Sequence, residues 1–124
     1  MINLVKEKTK IQDLFLDKNM RGGGLQRTKK GGFLKMHLDN NWNPILNACP
    51  VVNTILFLSE KWNESYKGQL QIKDKIIDPI YNRLIIRTNS EDSYHGFTEP
   101  LNGPEEFNRD VLVLFYYSKS TIPE

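Results

Sequence analysis

Apolar and polar positions along this chain fall into short runs rather than long amphipathic stretches. LQRT (25–28), FLKMHLD (33–39), VVNTILFLS (51–59), GQLQIKD (68–74), RLIIRT (83–88) and DVLVLFYYS (110–118) are β-prone segments punctuated by Gly, Pro, Asn and Asp, the pattern of strands joined by turns. Ahead of them, Ile11, Leu14 and Phe15 fall at helical spacing and predict one short helix before the glycines of MRGGGLQ. VVNTILFLS and DVLVLFYYS are apolar on both faces and are predicted to be central strands. Close strand spacing with turn-rich connections predicts a mainly all-β fold of the jelly-roll kind, two sheets packed face to face. GFTEPLNGPEEF (96–107) reads as a surface loop between the last two strands. No repeat or linker divides the chain, so 1–124 reads as one domain.

Composition narrows the partners more than the fold. With 17 basic and 15 acidic residues the formal charge is only +2, too small to argue for nucleic acid or an anionic membrane and only a weak argument against a nucleic-acid substrate. Cys49 is the single cysteine; it excludes an internal disulfide or a Cys-rich zinc site and agrees with a reducing compartment. No apolar run approaches the roughly 20 residues that cross a bilayer. MINLVKEKTK carries charges where a signal peptide would be apolar, so the expected setting is the cytoplasm.

Candidate chemistry begins in GGFLKMHLDNNW. In a regular strand Phe33, Lys35, His37 and Asp39 would share one face and Leu34, Met36 and Leu38 the other. The second histidine, His95, follows RLIIRT in NSEDSYHGF. A His-x-Asp pair on one strand face plus a distant histidine is what a facial triad needs: three ligands on one side of Fe(II), with the opposite positions open. The alternative is a surface pair, or a histidine oriented by its neighbouring carboxylate. Arg109 opens the last apolar strand, and a buried arginine there needs an anionic partner. Asp110, Glu105 or Glu106 would make it a structural salt bridge; a ligand carboxylate would make it a recognition group.

The segments GGFLKMHLDNNW, VVNTILFL, YNRLIIRTNSEDSYHGFTEPL and NRDVLVLFYY, in that order and spanning about Gly22 to Ser118, together resemble the 2-oxoglutarate and Fe(II)-dependent dioxygenases, in the branch similar to prolyl 4-hydroxylases. The resemblance implies a double-stranded β-helix, the jelly roll, with iron at its open end and a short N-terminal helix beside it. His37, Asp39 and His95 match the family's metal ligands, and Arg109 matches the residue that binds the distal carboxylate of 2-oxoglutarate. Asn53 sits where this branch often points a polar side chain at the cosubstrate; a satisfied core asparagine is the other reading. Arg83 and Asn82 read as turn residues. Trp42 and Tyr94 flank the metal ligands and are candidates for the substrate pocket, or else core and rim aromatics. The implied activity is hydroxylation of a C–H bond in an amino acid, a peptidyl proline or a small molecule, with 2-oxoglutarate converted to succinate and CO2 and ascorbate as an accessory reductant.

The chain departs from the family twice. Many members have Ser or Thr two residues after the carboxylate-binding arginine; here that residue is Val111, leaving Tyr81 or Asn53 to complete the cosubstrate site. The portion ahead of the glycines is also short, which predicts an apolar sheet face left open, to be covered by a homodimer or another partner. These departures motivate an alternative, a jelly-roll module that binds a metal or ligand without turnover. A metal-free carbohydrate- or peptide-binding sandwich is a third reading.

Overall fold

The computed structural model describes residues 1–20, 23–37, 43–88 and 94–121. In chain order these form α1 (Ile2–Thr9), β1 (Leu14–Leu16), β2 (Gly24–Thr28), β3 (Val52–Phe57), β4 (Leu70–Ile72), β5 (Lys75–Ile77), β6 (Leu84–Thr88), β7 (His95–Phe97) and β8 (Arg109–Ser118), with two single 3-10 turns. The architecture is the jelly roll expected from the strand pattern. In the larger sheet β8 lies beside β3 and β3 beside β6, while β1 and β2 both pair with the far edge of β8. β8 has the length to take both, pairing Tyr116, Tyr117 and Ser118 with β1 and Arg109 to Val113 with β2. The smaller sheet runs β5-β4-β7. All the strand pairs are antiparallel.

Period-two alternation sorts the side chains of β8 and β3, the two central strands. Val111, Val113 and Phe115 on β8 face inward with Ile55 and Phe57 on β3, and Leu70 of the smaller sheet closes the core from across. The opposite face of the larger sheet carries Val52 and Tyr116, which α1 covers through Val5, fully buried with Leu14. Burying each such side chain contributes about 1.5–3 kcal/mol. The outer face is therefore covered at one end. At the other, Leu25, Leu112, Leu56 and Leu84 stand opposite one another across four strands, and Leu25 is 78% exposed.

Besides the 96–107 segment, which is not wholly a surface loop because Gly96 and Phe97 belong to β7 and Leu101 and Phe107 are buried, two sequence expectations need correction. The helix is not built on Ile11, Leu14 and Phe15. It lies earlier and ends where Lys10 takes a left-handed conformation at φ 63°, while Leu14 and Phe15 belong to β1. β1 sends Leu14 to the outer cluster and Phe15 toward Tyr117 on the inner face, a split that a spacing of three and four residues cannot distinguish from a helix.

The second correction concerns residues 33–36, which are not a strand; His37 alone pairs, as an isolated bridge to His95. Two reciprocal backbone bonds of 2.9 Å join His37 and His95, and a regular ladder would next join Lys35 to Phe97. The Phe97 amide instead donates to the Leu34 carbonyl, at 2.8 Å. One extra residue thus sits opposite β7, a bulge that breaks the alternation. Leu34 and Met36 do not pack on an opposite apolar face: they are 39% and 44% exposed. Lys35 is turned away to solvent. Leu38 lies outside the described residues.

Candidate metal and cosubstrate site

The two histidines meet across the bridge between the 33–37 run and β7. Directly paired residues on antiparallel chains send their side chains to the same side, and the ring centroids of His37 and His95 are 4.3 Å apart. The approach depends on Gly96: a Cβ there would sit 2.7 Å from the Leu34 carbonyl oxygen and 2.8 Å from the carbonyl carbon and oxygen of Lys35. His95 is buried and His37 half-buried. Nδ1 of His37 lies 2.7 Å from the Lys35 carbonyl oxygen, so Nδ1 carries the proton and donates, and Nε2 keeps the lone pair a metal requires. The bulge that removes Lys35 from the histidine face thereby supplies the acceptor that sets the tautomer.

Both histidines line a cavity of about 310 Å³ between the two sheets, and Arg109 lines it as well. Arg109 is 5% exposed. Its Nε donates to the Gly68 carbonyl at 2.8 Å, and its guanidinium lies 4.3 Å from the Phe97 ring centroid and 5.4 Å from that of Phe57. Burial pulls its pKa down to about 10. Among the described residues no carboxylate pairs with it. Asp110 points to the other face and takes both bonds of Arg27, at 2.8 and 3.0 Å, while Glu105 and Glu106 are exposed. The structural salt bridge allowed by the sequence is therefore not made, and a buried cation faces a cavity.

The other predicted site residues divide. Asn53 lines the cavity, and its Oδ1 accepts from Arg87 Nε at 3.2 Å. Tyr81 does not reach it: 52% exposed, it stands in the turn before β6 and lines a separate groove with Ser59, Glu60 and Asn108. The turn is set by Asn82 at φ 66° and by Arg83, whose guanidinium donates to the Asp78 carbonyl. Tyr94 is 51% exposed and absent from the cavity wall; as His95's neighbour it points to the opposite face. Asp39 and Trp42 lie outside the described residues.

Sequence reasoning missed Gly68, Arg87, Thr28 and Gln26. Gly68 holds φ 73°, and a Cβ there would meet the Leu101 side chain at 2.8 Å; its carbonyl is the acceptor that orients Arg109. Arg87, buried in the β6 register opposite Asn53, carries the same signal that drew attention to Arg109, a charge inside an apolar strand.

A family model described as the 2OG-Fe(II) oxygenase superfamily matches residues 23–117. The chain belongs to this superfamily. A prolyl 4-hydroxylase from Phytophthora capsici superposes with a TM-score of 0.70 at 22% identity, over 96% of this chain and 39% of that one. A prolyl-4-hydroxylase from Pseudomonas putida gives 0.60 at 20% identity, covering 77% and 50%. The viral collagen prolyl hydroxylase of Paramecium Bursaria Chlorella virus-1, in a 2OG complex, gives 0.63 at 13% identity, covering 94% and 72%. No curated protein matches in sequence. The chain thus spans half or less of the first two structural relatives.

Superfamily membership implies Fe(II) and 2-oxoglutarate, and the residues present fit both. Two imidazoles, one with its Nδ1 proton held by a carbonyl, suit a divalent iron; a buried guanidinium that no carboxylate among the described residues pairs with suits the far end of a dicarboxylic acid. When bound, the iron and cosubstrate supply oxygen activation. The chain supplies imidazole lone pairs, a fixed cation, and an apolar wall of Ile55, Leu70, Val113 and Phe115.

Proposed function

We propose that this protein is an Fe(II)- and 2-oxoglutarate-dependent hydroxylase in which His37, Asp39 and His95 hold the metal, Arg109 binds the distal carboxylate of 2-oxoglutarate, and Asn53 borders the cosubstrate. The observation that carries the reading is the pairing of two histidine rings 4.3 Å apart with a buried Arg109, both on one cavity of about 310 Å³. The substrate is a C–H bond of an amino acid, a peptidyl proline or a small molecule; the structural relative from Trichoplax adhaerens, a prolyl hydroxylase, is in complex with a peptide fragment, which favours a peptide. A second copy of the chain covers the outer-face row of half-buried Leu56, Leu84 and Leu112 that ends in the exposed Leu25. The lone Cys49 supports a cytoplasmic setting. Among the described residues no helix is long and apolar enough to cross a membrane.

Incubation with Fe(II), ascorbate, oxygen and 2-oxoglutarate is expected to yield succinate, at least in a slow reaction without added substrate. A visible absorption band should appear on anaerobic addition of 2-oxoglutarate to the iron-loaded protein. His37→Ala and His95→Ala should abolish both signals. Absence of succinate and of the band in the wild-type protein would sink the proposal.

A further inference from the structure

Residues 18–36 carry six basic side chains and no acidic one, although the chain as a whole is nearly balanced. β2 lies in the middle of this stretch. Arg27 is taken by Asp110. Lys29 and Lys30, in the turn after β2, and Lys35 beyond it are exposed, and among the described residues no carboxylate pairs with them.

β2 is also an edge strand: among the described residues it pairs with β8 alone. The directions of the bonds show what its other side offers. The Leu58 amide donates to the Asp110 carbonyl at 2.9 Å, and the Asp110 amide donates to Ser59 Oγ at 2.7 Å, so the backbone of Asp110 faces β3. Backbone groups alternate in direction along an antiparallel strand. Arg109, Val111 and Val113 therefore face β2, where Thr28, Gln26 and Gly24 are their partners. Leu25 and Arg27 then point both amides and both carbonyls away from the sheet. Charged side chains usually blunt such an edge, but Arg27 is folded back onto Asp110, which leaves the edge open.

Alternating donors and acceptors match another peptide backbone. A nucleic-acid phosphate accepts hydrogen bonds but has none to donate to the two carbonyls. A second copy of β2 would bring the same basic stretch against itself, and like charges repel. An added strand lies about 4.8 Å away, and its residue opposite Gln26 sends its side chain the same way as Gln26, which lines the cavity. That residue's amide faces away from β2, so a proline there forfeits no bond.

We propose that β2 receives an extended acidic peptide as an added strand, bonded to the Leu25 and Arg27 backbone and attracted by Lys29, Lys30 and Lys35, with the side chain opposite Gln26 presented at the cavity. This rests on the functional reading above and deepens it by naming how a peptide substrate is held.

Fluorescence anisotropy on the full chain, without iron or 2-oxoglutarate, tests it separately from the succinate assay. The probe is a fluorescein-labelled peptide of alternating Glu and Val with Pro in place of the central Val. It should bind, more tightly at low salt than at high salt. Its Lys-for-Glu counterpart and a labelled oligothymidylate should bind at least about tenfold more weakly, and equal or tighter binding of either overturns the inference. Leu25→Pro removes one free amide and no ladder bond and should weaken the acidic peptide roughly tenfold. Lys29→Glu combined with Lys30→Glu should weaken it at low salt more than at high salt. Should Leu25→Pro fail to fold, amide exchange in the wild type decides, since Leu25 and Arg27 should exchange more slowly with the peptide bound. Unchanged affinity in Leu25→Pro, or unslowed exchange at those two amides, overturns the inference. A wild-type protein that forms succinate but binds no acidic peptide keeps the functional reading and loses this one.

Discussion

Arg109 keeps its charge in a place that penalises it. Desolvation lowers its pKa to about 10, so the folded state holds this proton less tightly than the unfolded chain. Above about pH 10 the unfolded state binds more protons, and stability from this group rises with pH. At neutral pH the full penalty, on the order of 3 kcal/mol, is present and offset in part by the Gly68 carbonyl and the two aromatic rings. Arg109→Met is therefore expected to melt at or above the wild-type temperature without ligand. Wild-type Mn(II)-loaded protein should gain melting temperature with 2-oxoglutarate, and the variant should show no such gain; differential scanning fluorimetry checks both. A variant that melts lower would mean that the cation's protein contacts outweigh its desolvation. Arg109 was legible in the sequence because a charge opening the apolar strand RDVLVLFYYS demands a partner. Gly68 and Thr28 were not, since their reasons lie in residues far away along the chain.

At the scale of elements, the long strands declared themselves, and of the three-residue strands only β4, inside GQLQIKD, did. β3 and β8 are legible because their apolar runs exceed what a loop tolerates; β1 and β7, three residues each, give the eye no period to read. The bulge opposite β7 was hidden for a related reason: GGFLKMHLD alternates as a strand should, and only the bond from Phe97 to Leu34 shows the slip. Gly96 marks this junction, with its Cα facing the Leu34–Lys35 backbone. Gly96→Ala must push the 33–37 run away from β7 and separate the histidines. It should lower Mn(II) affinity by about 10- to 100-fold and stability by roughly 1–3 kcal/mol. Calorimetric Mn(II) titration and urea unfolding measure the two effects, and wild-type Mn(II) affinity in this variant would show that the close approach does not set the histidine spacing.

For the molecule as a whole, the two faces of the larger sheet have different fates. The inner face builds the core and the cavity. The outer face is covered only where α1 lies, because INLVKEKT brings a single buried side chain, Val5, to it. Beyond the helix, Leu25, Leu112, Leu56 and Leu84 form a cross-strand row ending in the 78% exposed Leu25. The sequence pointed to an uncovered apolar face, but it could not say how much α1 would cover, since its helical period was read around residue 11. A row of this kind is self-complementary when two sheets meet about a two-fold axis, and its half-buried leucines with the exposed Leu25 leave apolar surface whose burial favours association. The wild-type protein should sediment as a dimer at high micromolar concentration. Leu25→Lys combined with Leu84→Lys should sediment as a monomer, since charges at both ends of the row would have to be desolvated in the contact. The melting-temperature gain with 2-oxoglutarate should survive in that double variant, because the leucines lie on the face opposite the cavity. A wild-type protein that remains monomeric throughout the concentration range would rule the leucine row out as a self-association surface while leaving the metal and cosubstrate assignments untouched.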